Sequence, residues 1–284
     1  MNFETTTTKK QKPSNGYALL WFFVLAFVLH VVAIGIVIAI PFIVLQLLPP
    51  WTPNIAAFLV ILVILKERKG IRKLVGKWGI WRIGIGWYLA ALSPFAIALL
   101  TVALYLGLGN PIPGPALPFS WSIVVFWFIA TLLSGATGEE LGWRGFALPR
   151  LQTRYNALIS SLILGVVWGF WHLPVYLMAP LFGGQFDFLG FLRFLVSVVA
   201  TSIIITWIVN NAKGSVLVAT IFHFSVNFSV ALFISIFGLI QSEWYYLLTT
   251  ILYIIYATIV VSIYGYTKLS KKPNNATPIP RNSE

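Results

Sequence analysis

The chain of 284 residues is 59% hydrophobic and only 9% charged, with 19 basic against 7 acidic residues and a formal net charge of +12. An ordinary soluble domain is roughly 45–50% apolar and about 25% charged, so this composition excludes one and indicates a polytopic membrane protein. The absence of cysteine excludes disulfides, thiolate metal sites and a cysteine nucleophile. The positive charge does not indicate nucleic acid, because it falls in short connections between apolar runs, where Lys and Arg set membrane topology.

A polar tail over 1–16 carries Lys9, Lys10 and Lys12 and leads into an apolar run ending at Leu48. That run is longer than the ~7–15 apolar residues of a secretory signal and is read as a retained first span. A spanning helix needs about 20 apolar residues. Eight candidates follow in chain order, at 17–47, 51–65, 84–107, 120–140, 157–178, 189–209, 215–239 and 244–266. Pro49 and Pro50 are expected to turn the chain between the first two. The expected fold class is an all-α polytopic membrane helical bundle. Its parts are N-terminal membrane helices over 17–118, a core over 119–239, a last span over 240–267 and a polar tail over 268–284.

An orientation with both termini cytoplasmic places every basic residue but Arg193, of the 19, on the cytoplasmic side. Trp51, Trp81, Trp87, Trp121 and Trp244 fall near span ends, where an aromatic belt is expected. No internal repeat is visible, which counts against an inverted-repeat transporter using the same acids for proton coupling. A prokaryotic plasma membrane is the expected location.

Acids are otherwise kept out of apolar sequence, yet Glu139 and Glu140 close the apolar run from Trp121 to Thr137. An ionisable residue inside a membrane is costly and points to function. Arg144 stands four residues after Glu140, on the same helical face, so these two are expected to pair while Glu139 points elsewhere. His223 and Asn227 repeat this spacing on a later span. His172 follows Trp168 by one turn, with Gly165 and Gly169 forming a small-residue face that admits a neighbouring helix. A carboxylate, two imidazoles and a carboxamide on three helices can activate water and stabilise an oxyanion, as amide hydrolysis requires. His30 has no motif around it and is read as structural, and Asp187 and Glu243 as loop carboxylates.

The segment Glu139-Glu140-Leu-Gly-Trp-Arg144 resembles the EExxxR motif of the CAAX-protease and bacteriocin-processing family of intramembrane proteases. Trp168 to His172 resembles its FxxxH motif, with Trp where the family usually has Phe, and His223 to Asn227 its HxxxN/D motif. The likeness covers roughly residues 120 to 230. It implies an intramembrane endopeptidase acting on a membrane-associated or lipidated peptide or protein, in a cavity open towards the cytoplasm. Glu139 would be the general base, His172 would polarise the water, and His223 and Asn227 would serve the oxyanion or the water site. Glu140 and Arg144 would form a structural pair. The family has been described both as glutamate-type and as metal-dependent. His172, His223 and Glu139 form an acceptable zinc set, but the HExxH spacing is absent, so direct activation without a cofactor is favoured. The alternative is a non-catalytic protein of the same fold, serving bacteriocin self-immunity or as a scaffold.

One geometric demand accompanies this reading. If the fourth span ends at Glu140, then Glu139 lies at the cytoplasmic edge, whereas His172 lies ~22 Å into its own helix. Residues 141 to 156 would have to dip into the bundle for the two to meet.

Overall fold

The computed structural model describes residues 15–40, 42–112, 114, 120–182, 184–238 and 243–271. The tail residues Lys9, Lys10, Lys12, Lys272 and Arg281 of the topology argument lie outside them. The described chain is an all-α bundle with eight helices long and apolar enough to cross a membrane. In chain order these are α1 (Asn15–Ala39), α2 (Val44–Ile64), α4 (Ile85–Gly107), α5 (Trp121–Leu151), α6 (Ala157–Leu181), α7 (Phe188–Asn211), α8 (Val216–Phe237) and α9 (Glu243–Tyr264). A short amphipathic helix, α3 (Arg68–Val75), joins α2 to the segment that leads into α4.

Two boundaries differ from expectation. Pro49 and Pro50 do not turn the chain; they fall in the first turn of the α-helical part of α2, Leu48–Leu59. A proline is tolerated there because its missing N–H would have had no helical partner. Nor does the fourth span end at Glu140. It runs for 31 residues to Leu151, its Leu132–Ala136 and Leu141–Ala147 stretches wound as π-helix. Glu139 therefore lies in mid-helix, and no dip of residues 141 to 156 is needed to reach His172.

Contacts between connections identify the two ends of the bundle. Lys213 Nζ donates to Arg82 O at 3.0 Å, Val216 N to Lys77 O at 3.1 Å, and Ala157 N to Thr267 O at 2.8 Å. These gather the basic connections at one end. At the other end Arg193 joins Asp187 and Glu243. The two acids are thus ion-pair partners rather than free loop carboxylates, and Asp187 also caps α7 by accepting from Gly190 N at 2.9 Å.

Packing follows the small residues. Ala18 and Ala26 of α1 and Ala56 and Ala57 of α2 are fully buried, while Leu20, Val24, Val28 and Val31 on the other face of α1 are exposed, as a lipid-facing stripe should be. Gly165 and Gly169 of α6 meet α7 closely. A Cβ on Gly165 would stand 2.8 Å from Val199 Cα, and one on Gly169 2.4 Å from Leu195 Cδ1. Trp81, Trp121 and Trp244 are exposed near helix ends. Trp51 instead bonds across the bundle, its Nε1 donating to Leu133 O at 2.8 Å.

Candidate active site

The middle of α5 is shaped by its glycines and by one asparagine of α2. A Cβ on Gly138 would stand 2.8 Å from Pro50 O, and one on Gly142 2.5 Å from Pro53 O, so only glycine lets the α2 backbone approach this closely. There Asn54, fully buried, inserts its carboxamide into the α5 ladder. Its Nδ2 donates to Thr137 O at 2.8 Å, and its Oδ1 accepts from Gly142 N at 2.9 Å. These two backbone groups are five residues apart and would otherwise face each other across a π-turn. Asn54 thus closes the ladder at the start of the second π-helical stretch. The sequence reading missed it, although a lone carboxamide in an apolar span was a signal of the same kind as the acids.

The two neighbouring glutamates point to different partners. Glu140 is fully buried, and its Oε1 accepts from both Arg144 Nη1 at 3.0 Å and His223 Nδ1 at 2.8 Å. The expected pair with Arg144 is present, but Glu140 also orients an imidazole. With Nδ1 donating to the carboxylate, the neutral ring leaves Nε2 as its lone-pair nitrogen. Arg144 lies with its guanidinium 4.2 Å above the Trp168 ring and is itself buried, so it belongs to the site rather than to the basic end where topology counted it.

Glu139, 3% exposed, is held by two indoles. Trp168 Nε1 donates to its Oε2 at 2.6 Å, and Trp143 Nε1 to the same oxygen at 3.3 Å. This leaves Oε1 for another partner, and the space above Gly135 shows where. A Cβ built on Gly135 would lie 3.1 Å from Glu139 Oε1, 3.1 Å from Asn227 Nδ2 and 3.5 Å from His223 Nε2. Three polar atoms from α5 and α8 thus converge on one spot, kept open because residue 135 has no side chain.

His172 caps the α-helical part of α6, its Nδ1 donating to Trp168 O at 2.8 Å. Its ring stands edge-on to Trp171 and Phe194, at 4.8 and 5.0 Å. It lines the same cavity as Glu139, His223 and Asn227 but is not among the three groups above Gly135. His30 reaches the region from α1 and is buried, its ring tilted by 37° and centred 3.9 Å from Trp171, with Nδ1 3.2 Å from Pro49 O. It remains a packing residue.

The cavity has a volume of about 790 Å³. From Glu139 and Trp168 it runs past Tyr176, Phe194 and Tyr246 to Asp187, Arg193 and Glu243. It therefore extends away from the basic end, contrary to the expected opening on that side. The reason is the length of α5: beyond Glu140, the buried residues Trp143, Phe146 and Leu148 fill the space towards the basic connections.

Among the described residues no group of three His, Asp or Glu is placed to hold a metal ion. Glu139 Oε2 is committed to two indoles, and Glu140 to Arg144 and His223. Together the groups above Gly135 offer a carboxylate oxygen, an imidazole lone pair and an amide donor, which suit a water molecule.

Residues 120–229 match the family model described as type II CAAX prenyl endopeptidase Rce1-like. The chain is also similar to CAAX prenyl protease 2 of Methanococcus maripaludis, with 35% identity over 140 residues, covering 46% of this chain and 51% of the relative. The chain thus spans about half the length of the curated relative it matches. The matched segment contains Glu139, Glu140, Arg144, Trp168, His172, His223 and Asn227, whereas Asn54 and His30 come from helices before it and the cavity residues Glu243 and Tyr246 from the helix after it.

Proposed function

We propose, from the similarity of residues 120–229 to type II CAAX prenyl endopeptidases, that the chain is an intramembrane endopeptidase which cleaves a peptide bond with water activated by Glu139. The observation that carries this is the convergence of Glu139 Oε1, Asn227 Nδ2 and His223 Nε2 on the space above Gly135, inside a cavity of about 790 Å³. Water held there gives a proton to Glu139 as its oxygen attacks the carbonyl carbon. The Asn227 amide donates to the oxygen that becomes negative. Glu139 then passes the proton to the amide nitrogen as the C–N bond breaks, releasing an amine and a carboxylic acid, which gives up its proton to solvent, without a covalent enzyme intermediate.

Glu140 and Arg144 keep His223 in the orientation that presents Nε2 to the water, and His172 bounds the peptide site beside it. The substrate is a membrane-associated or lipidated peptide or protein. With the basic end and the termini on the cytoplasmic side, the cavity extends towards the opposite surface.

The direct test is to offer purified protein quenched fluorescent peptides, prenylated and plain, with and without a strong chelator, and to map products by mass spectrometry. Cleavage at one bond that survives chelation is expected. Loss on chelation with rescue by zinc would overturn direct glutamate activation. No cleavage from folded protein across the whole set would favour the non-catalytic reading.

Trp168 offers a finer test, because the family's usual Phe has no N–H. Trp168→Phe keeps an aromatic ring but removes the 2.6 Å bond to Glu139. A hydrogen bond to a charged group contributes about 1.5–3 kcal/mol, so kcat is expected to fall about tenfold or more. KM should change little, since Trp168 holds the base rather than the peptide. A kcat within twofold of wild type would show that Trp143 alone positions Glu139.

A further inference from the structure

The connection from α2 to α4 is more than a topology signal. α3 begins four residues after α2 ends at Ile64, and the segment returns to the bundle at Ile85, so α3 lies at the level of the bilayer edge. It folds back against α2 at Gly70, where a Cβ would stand 2.8 Å from Ile61 Cγ2. Its inner side is anchored by Leu74, buried against α5, whose Cδ1 is 2.7 Å from where a Cβ of Gly145 would be. The outer side carries Arg68, Lys69, Arg72 and Lys73, all exposed, with Lys66 exposed just before them. Glu67 is the one acid between Leu65 and Gly84.

The segment after α3 is fastened to both helices of the site. Lys77 Nζ donates to Gly145 O of α5 at 2.6 Å. Burial, and then the charge of Arg150, push this ammonium down to about 8. Lys77 O accepts from Val216 N at 3.1 Å, Trp78 Nε1 donates to Thr220 Oγ1 at 3.1 Å, and Ser215 Oγ donates to Ile80 O at 2.7 Å. Thr220 precedes His223 by less than one turn, and Gly145 follows Arg144 directly. The connection is a strap, tied to α5 and α8 on one side and basic on the other.

We propose that the exposed basic face of α3 binds the headgroup phosphates of anionic phospholipids and that this binding seats the strap on α5 and α8. The charge is complementary, and the position at the bilayer edge supplies the partner. Basic clusters beside a membrane helix, or on an amphipathic one, gain affinity for anionic lipid with each added cation, and the gain falls with salt.

The test uses the full chain and the variant Arg68→Gln/Lys69→Gln/Arg72→Gln/Lys73→Gln, whose altered side chains are all exposed. Native mass spectrometry after equal exposure to phosphatidylglycerol and phosphatidylcholine should show wild type retaining the anionic lipid with roughly tenfold preference or more, and the variant with little. Thermal unfolding in zwitterionic detergent should coincide for the two proteins, and phosphatidylglycerol should raise the midpoint of wild type alone. Neither readout depends on peptidase activity, so each stands if the proposed reaction fails. Equal preference in the variant would overturn the proposal, as would an equal midpoint rise with inorganic phosphate at the same concentration.

Discussion

Glu139→Gln is expected to abolish peptide cleavage while leaving the protein as stable as wild type or more so. The amide is nearly isosteric, and its carbonyl can still accept from Trp168 and Trp143, which now hold Oε2. What it loses is the ability to take a proton from water. General acid–base catalysis contributes roughly a hundred- to ten-thousandfold, so kcat should fall by about a thousandfold. Stability should not suffer, because a neutral group is cheaper to bury than a carboxylate. Cleavage assays and thermal melts on the same preparations check both halves. Retention of a tenth or more of wild-type activity would remove Glu139 from the role of base.

Glu140→Gln should lose stability as well as cleavage. Glu140 Oε1 is the ion-pair partner of a fully buried Arg144 and also the acceptor for His223 Nδ1. Among the described residues, Arg144 Nε and Nη2 have no hydrogen-bond partner, so its charge rests on this one carboxylate and on the face of Trp168. Breaking a buried pair from one side costs about 3–5 kcal/mol, and the melting temperature should drop accordingly. Adding Arg144→Met to Glu140→Gln removes the stranded charge and should recover much of that stability. Activity should stay lost in the double variant, because His223 remains without the carboxylate that orients it. An active double variant would show that the orientation is not needed.

These two predictions separate neighbouring acids that composition alone treats alike. The pair of Glu140 with Arg144 was legible in the sequence, because their i, i+4 spacing is local and a helix enforces it. The bond from Glu140 to His223 was not legible, because it joins residues 83 apart across the bundle. The polar residues in apolar spans were all visible, and Glu139, His172, His223 and Asn227 do line one cavity. Asn54 was equally visible but lay outside any motif.

The π-helical stretches of α5 explain the largest misreading. A helix whose apolar run ends in two acids and an arginine reads as finished. Here those side chains are enclosed in the bundle, and the glycines at 138 and 142 let α2 supply the bonds that continue the ladder. The direction of the cavity followed from that same continuation, so one wrong boundary produced both errors. The indole bonds to Glu139 depended on which way two tryptophans point, which spacing does not specify.

The insertion of Asn54 into α5 also bears on how the protein is made. α1 and α2 leave the ribosome before the helix that carries Glu139, Glu140 and Arg144, so the carboxamide that receives this helix is already in the bilayer. His223 arrives only three spans later. Through that interval Glu140 has Arg144, one turn away on its own helix, as a partner that needs no other span. A chain begun at residue 120 would contain every motif and still lack the surface on which its first helix is received.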